Sequence, residues 1–302
     1  MRNIAIILLV LIAFSGCKEK TAGSELSKGK LKVTVSILPQ AFLVKNIAGD
    51  LIDVNVMVPP ASSPETYEPG PVKMAELRDS QIYFSIGMPF EASLIEKIRK
   101  DYTGLKFVEM NSGITLRNIE SHHGHSSEVP NELLETKDPH IWLDPVILIQ
   151  MAQNTVNELI RTDPQNRETY ITKHLELKKK LQLLNDEMAD LFKESRKKAF
   201  FIYHPAWGYF ADRYGFKQIP VEIEGKEPSA SEMAELTEMI RKNNIKHLFL
   251  QAQSPESVIK SISAETGAQI RMLDPLKEDV ISNIRESAKA IKEGLIYVRR
   301  DR

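Results

Sequence analysis

The chain has 302 residues and, with 40 basic against 41 acidic side chains, a formal charge of −1. The basic residues are dispersed, so no nucleic-acid footprint is indicated, and apart from a short N-terminal apolar run no stretch approaches the length that crosses a bilayer. A single cysteine leaves neither an internal disulfide nor a thiolate metal site available, and the length fits one large or two medium domains.

Arg2 followed by the apolar run Ile4 to Phe14 has the character of a signal peptide, shorter than the roughly 20 residues that span a membrane. The run ends in Ser15-Gly16-Cys17, which resembles a bacterial lipoprotein box. Residues 1–16 are therefore expected to be removed, leaving Cys17 lipidated as the first mature residue. An ordinary secretion signal with an incidental cysteine is the alternative. Residues 17–30 are small and polar and read as a tether from that anchor. The protein is then expected outside the cytoplasm, held to a membrane by lipid alone.

Residues 31–144 alternate short apolar runs with amphipathic ones. Strands are predicted at 31–37, 52–58, 81–86 and 105–110, and helices at 39–48, 71–78 and 90–102. From Pro145 the sequence is helical to about Ser195, interrupted at Asp163-Pro164, where Asp163 can cap a new helix. In that helix Leu177, Leu181, Leu184, Met188 and Leu191 form one stripe. The stripe fits a helix packed across two lobes; a coiled-coil dimer is the other reading. The alternation resumes over 198–302, with strands at 199–203, 219–223, 245–250 and 269–273, and helices at 206–214, 231–242, 255–266 and 277–293. The fold class expected is α/β: two lobes with mainly parallel sheets, 31–144 and 198–302, joined by a long rigid linking helix within 145–197.

Ligands of open α/β sheets bind beyond the carboxyl ends of strands. Four metal-competent side chains fall there: Glu65, His140, His204 and Asp274. Two lie in each predicted lobe, the arrangement expected for an ion held in the cleft. Each alone has a plainer reading. A histidine at a strand end is commonly a hydrogen-bonded structural residue, Glu65 can be a solvated loop carboxylate, and Asp274 before Pro275 can start a turn or cap the last helix.

Their flanking sequences carry a resemblance. Pro64-Glu65-Thr66-Tyr67-Glu68-Pro69, Asp138-Pro139-His140-Ile141-Trp142-Leu143-Asp144-Pro145, Tyr203-His204-Pro205-Ala206-Trp207-Gly208-Tyr209-Phe210 and Leu273-Asp274-Pro275-Leu276 resemble the zinc/manganese-binding substrate-binding proteins of bacterial ABC transporters. The resemblance implies a monomeric receptor that captures a divalent ion, zinc first and manganese as the alternative, and delivers it to a membrane permease and its ATPase. It also implies that His140, His204 and Asp274 are ligands. The first ligand position departs from the pattern, with Glu65 where the family usually has histidine. An oxygen donor still suits zinc, at about 2.0–2.2 Å, while added negative charge favours harder ions such as manganese. His122, His123 and His125 pull the other way, because imidazole density favours zinc. They lie in a Gly/Ser-containing segment and are either an accessory collecting loop or a polar linker. His174 and His247 have no such context and read as surface or structural residues.

Two other classes fit part of this pattern. A metallohydrolase would use the same residues around a zinc with an open water position, but the chain has no His-Glu-x-x-His motif and no Gly-x-Ser-x-Gly elbow. An enzyme is therefore not expected. A surface adhesin on the same fold has only the anchor in its favour.

Overall fold

Val33 and Val35 are fully buried on β1 (Leu31–Val35), one of the two inner strands of the first lobe. Around it the chain forms α1 (Leu38–Ala48), β2 (Ile52–Val56), α2 (Pro71–Arg78), β3 (Ile82–Ser85), α3 (Pro89–Ile98) and β4 (Lys106–Glu109). The computed structural model describes residues 29–120, 137–222, 227–254 and 256–297. The four strands are parallel in the order β2-β1-β3-β4, with Val33 facing both Val54 and Ile82. Pro71 and Pro89 open their helices, where the missing N–H has no intrahelical partner to lose.

Two helices follow, α4 (Pro145–Thr162) and α5 (Arg167–Phe192), separated by the 3-10 turn Pro164–Asn166. Asp144 caps α4, its Oδ1 accepting from the N–H groups of Val146 (2.7 Å) and Ile147 (3.2 Å). Asp163, the expected cap of the second helix, instead ties the junction. Its Oδ2 accepts from Asn166 Nδ2 at 2.7 Å and Tyr170 Oη at 2.5 Å. On α5 the stripe of Leu177, Leu181, Leu184 and Met188 is buried, and Leu191 is half-buried. The helix packs on α1 and α4.

The second lobe repeats the plan of the first: β5 (Lys198–Ile202), α6 (Gly208–Tyr214), β6 (Lys217–Pro220), α7 (Ala230–Lys242), β7 (His247–Leu250), α8 (Glu256–Thr266), β8 (Gln269–Met272) and α9 (Val280–Gly294). Its parallel order β6-β5-β7-β8 matches that of the first lobe strand for strand. A two-residue strand, β9 (Ile296–Tyr297), runs antiparallel to β5; it is too short to leave a pattern in the sequence. Gly215 ends α6 with φ of 80°, a left-handed cap that a Cβ would strain. Because α5 also packs on α6 and α9, its apolar stripe is used between the lobes of one chain. The stripe that the coiled-coil reading would need is therefore already buried within the chain.

One core runs from the first sheet through α4 and α5 to the inner face of the second sheet. On β5, Phe200 and Ile202 join this core, whereas Phe201, with Tyr203 just past the strand, faces a separate cluster under α7 and α8. This is the period-two alternation of a strand covered on both faces. Among the described residues no helix is long and apolar enough to cross a membrane.

The buried stripe on α5 gives a direct stability test. Leu181→Ala should cost about 2–5 kcal/mol in urea unfolding of the metal-free protein. Leu183→Ala, two residues on and 58% exposed, should stay within about 0.5 kcal/mol.

Candidate metal centre

The loop after β2 is shaped by Pro59 and Pro60 and by Ala61, which takes φ of 65°. Glu65 follows, and Ser63 Oγ donates to its Oε2. His140 sits before a 3-10 turn (Ile141–Leu143) and is only 2% exposed. Asp138 Oδ1 accepts from both its backbone N–H (3.0 Å) and its Nδ1 (2.7 Å). His204 follows β5 directly. Gln251 holds its backbone at both groups, accepting from His204 N–H at 3.2 Å and donating to its carbonyl at 2.6 Å. The His204 Nδ1 meets Glu222 Oε1 at 2.6 Å.

An ionised carboxylate only accepts, so each imidazole carries its hydrogen on Nδ1 and turns the Nε2 lone pair into the cleft. The two Nε2 atoms are 3.1 Å apart. Glu65 Oε1 lies 3.4 Å from the Nε2 of His140 and 3.5 Å from that of His204. A tetrahedral zinc with donors at about 2.0–2.1 Å spaces neighbouring donors about 3.3 Å apart. The three atoms thus have the spacing of one face of a zinc tetrahedron. Among the described residues, Glu65, His140 and His204 form the one group of this kind. They open on a cavity of about 300 Å³, also lined by Trp142, Gln251 and Pro275.

The electrostatics fit a cation. Burial disfavours a charged His140, but the hydrogen bonds and charges of Asp138 and Glu65 outweigh it and raise its pKa to about 9. Burial also works against ionised Glu65, yet His140, then His204 and Ser63, bring its pKa down to about 2. Three acceptors converging on one point hold a proton there when no metal is bound.

Of the four residues expected as ligands, three meet. Asp274 stands apart from the group: its Oδ1 accepts from Leu276 N–H at 2.9 Å, and it lines a neighbouring cavity of about 80 Å³ beside Pro59 and Pro60. Pro275 and Leu276, its immediate neighbours, do line the metal cavity. Cys17 and the accessory histidines His122, His123 and His125 lie outside the described residues. His174 is buried on α5. Asp138 and Glu222 were not picked out as functional. Asp138 stood two residues from His140 in the same motif, where the need of a ligating imidazole for a carboxylate partner would have flagged it. Glu222 had no local signal, since its contact depends on the pairing of β5 with β6.

The family model for the zinc-uptake complex component A, periplasmic (ZnuA), matches residues 33–294. The chain belongs to this family. A ZnuA relative, the high-affinity zinc uptake system protein of Bacillus subtilis, is 30% identical over 95% of this chain and 94% of its own length. The zinc-binding lipoprotein AdcA of Streptococcus pneumoniae is 26% identical over 97% of this chain, which spans only 61% of AdcA. A crystal structure of ZnuA superposes with a TM-score of 0.81 at 35% identity, covering 88% of this chain and 99% of that one. As in the ZnuA-like structures, two parallel-sheet lobes flank a long helix.

The raised pKa of His140 makes a signed prediction for this ZnuA-family chain without metal. Its imidazolium contributes stability fully below the unfolded value near 6.5, and that contribution is lost as pH rises through about 9. Metal-free protein should therefore lose stability to urea across that window. A decline equally steep in His140→Asn would show that other groups cause it.

Proposed function

We propose that this chain is the extracytoplasmic receptor of an ABC zinc importer, capturing one zinc ion in the cleft and presenting it to a permease driven by an ATPase. The observation that carries this reading is the convergence of two Nε2 atoms and one carboxylate oxygen at 3.1–3.5 Å. Zinc is the cargo; the protein performs no chemistry on it. His140, His204 and Glu65 are three of the ligands. Asp274 is the fourth: its loop borders the same cavity, and the hydrogen bond from Leu276 N–H leaves Oδ2 free. With four protein donors no position stays open for an activated water, which separates a receptor from a hydrolase. Cys17 is the lipid attachment point, residues 17–30 the tether, and the working unit a monomer.

Two imidazoles favour zinc and two carboxylates temper that preference, so manganese is the competing cargo. The test is elemental mass spectrometry of stripped protein, lacking leader and tether, offered zinc and manganese together at buffered free concentrations. One zinc per chain is expected; no stoichiometric metal of either kind would sink the reading. Glu222→Gln should weaken zinc about 10–100-fold in a chelator competition, the usual cost of removing a ligand's hydrogen-bonding partner. His140→Ala and His204→Ala should each cost more than that. Glu65→His should raise the zinc-to-manganese preference, and an unchanged ratio would remove Glu65 from the ligand set.

A further inference from the structure

Arg117, on the stretch after β4, reaches three carboxylates at once. Its Nη1 donates to Asp138 Oδ2 at 3.2 Å and its Nη2 to Glu120 Oε1 at 2.8 Å, while Nε lies 2.9 Å from Asp212 Oδ2. Asp138 is fully buried and already commits Oδ1 to His140, so Arg117 holds the other oxygen. Asp212 belongs to α6, in the second lobe. The main chain is pinned at the same place. Arg117 N–H donates to Tyr209 Oη at 3.0 Å, Tyr209 Oη donates to the Asp138 carbonyl at 2.7 Å, and Asp138 N–H donates to the Arg117 carbonyl at 2.9 Å.

The sequence makes room for this arrangement. A Cβ added at Gly208 would come within 1.5 Å of Arg117 Nη1 and 2.9 Å of Gln218 Nε2. Only glycine at the start of α6 admits the guanidinium, which lies 5.8 Å from the ring centroid of Tyr209. Farther along the segment, Trp142 Nε1 donates to the Pro275 carbonyl at 2.7 Å, and Arg213 Nε pairs with Asp144 at 2.5 Å. The stretch carrying His140 is thus fastened to second-lobe groups at Asp138, Trp142 and Asp144, although the chain reaches it from the first lobe.

A planar guanidinium fork fixes the orientation of the carboxylates it grips, which a flexible ammonium does not. A carboxylate held at both oxygens cannot swing, and the imidazole bonded to it cannot turn its Nε2 away. We propose that Arg117 is a positioning residue for metal capture: it locks Asp138, and through it the His140 imidazole, onto the second-lobe frame that carries His204, and so slows release of the ion. This rests on the reading that Glu65, His140 and His204 bind the metal.

The experiment is stopped-flow release of zinc to a chelator, with the visible spectrum of the cobalt(II)-loaded protein as a report on ligand geometry. Arg117→Met should release zinc about tenfold faster, at the low end of the cost of losing a ligand's hydrogen-bonding partner, and should alter the cobalt bands. Gly208→Ala changes no charge but evicts the guanidinium, and should shift both readouts the same way. Arg117→Lys, with the charge but not the fork, should fall between. Lys45→Met breaks a different contact between the lobes, Lys45 to Glu278 at 2.6 Å, and should release zinc at the wild-type rate. Wild-type rates and spectra in both Arg117→Met and Gly208→Ala would overturn the proposal, as would equal acceleration in Lys45→Met. If Arg117→Met does not fold, Gly208→Ala and Arg117→Lys decide. Wild-type protein that takes up neither zinc nor cobalt would overturn the metal-receptor reading itself.

Discussion

Two hydrogen bonds on the far side of the imidazoles govern the cleft. Asp138 holds His140 Nδ1 at 2.7 Å and Glu222 holds His204 Nδ1 at 2.6 Å. Because each carboxylate can only accept, both rings are committed to one tautomer and two Nε2 lone pairs are set face to face at 3.1 Å. That juxtaposition is unfavourable unless positive charge sits between them. Burying Asp138 is itself costly, and the cost is offset by His140 on one oxygen and Arg117 on the other. The interior of this site is therefore built for a cation before any cation arrives.

The fold brings those donors together by repetition. Both lobes use the same strand order, and Glu65 and His204 lie in the segments that follow the carboxyl ends of β2 and β5. A single apolar core passes from one sheet to the other through α4 and α5. An interface of that size and hydrophobicity resists wide domain rotation. The contacts of residues 138–144 with the second lobe lie on the same side of that interface as His140 and His204 and add to it.

Glu65 is the one residue of the candidate site that departs from the pattern of the resemblance. Glu65 supplies oxygen where nitrogen is usual, and its pKa, depressed to about 2, keeps it ionised at any pH at which the protein works. The added charge favours hard ions, whereas two imidazoles at tetrahedral spacing favour zinc. Zinc outranks manganese in the intrinsic affinity series, so a Glu65 ligand would temper the preference without reversing it.

The alternation of elements, the parallel sheets, the apolar stripe of α5 and the candidate residues Glu65, His140 and His204 were legible from residue order, because periodicity and strand-end position are local properties. Strand ends shifted by one to three residues, the most at β6, and β9 was too short to register. The partners that orient the two histidines were not legible in the same way. Glu222 reaches His204 only because β6 lies beside β5, Arg117 reaches Asp212 only because Gly208 leaves space, and the segment of His140 proved fastened to the lobe that follows it in sequence. Asp274, expected among the donors from its position after β8, stands outside the group of three, with one carboxylate oxygen accepting from its own turn. The sequence by itself determined the donor types and their placement at strand tips; the tertiary structure alone decided their distances and tautomers, because those are set by side chains far apart in sequence that meet only when the lobes are packed.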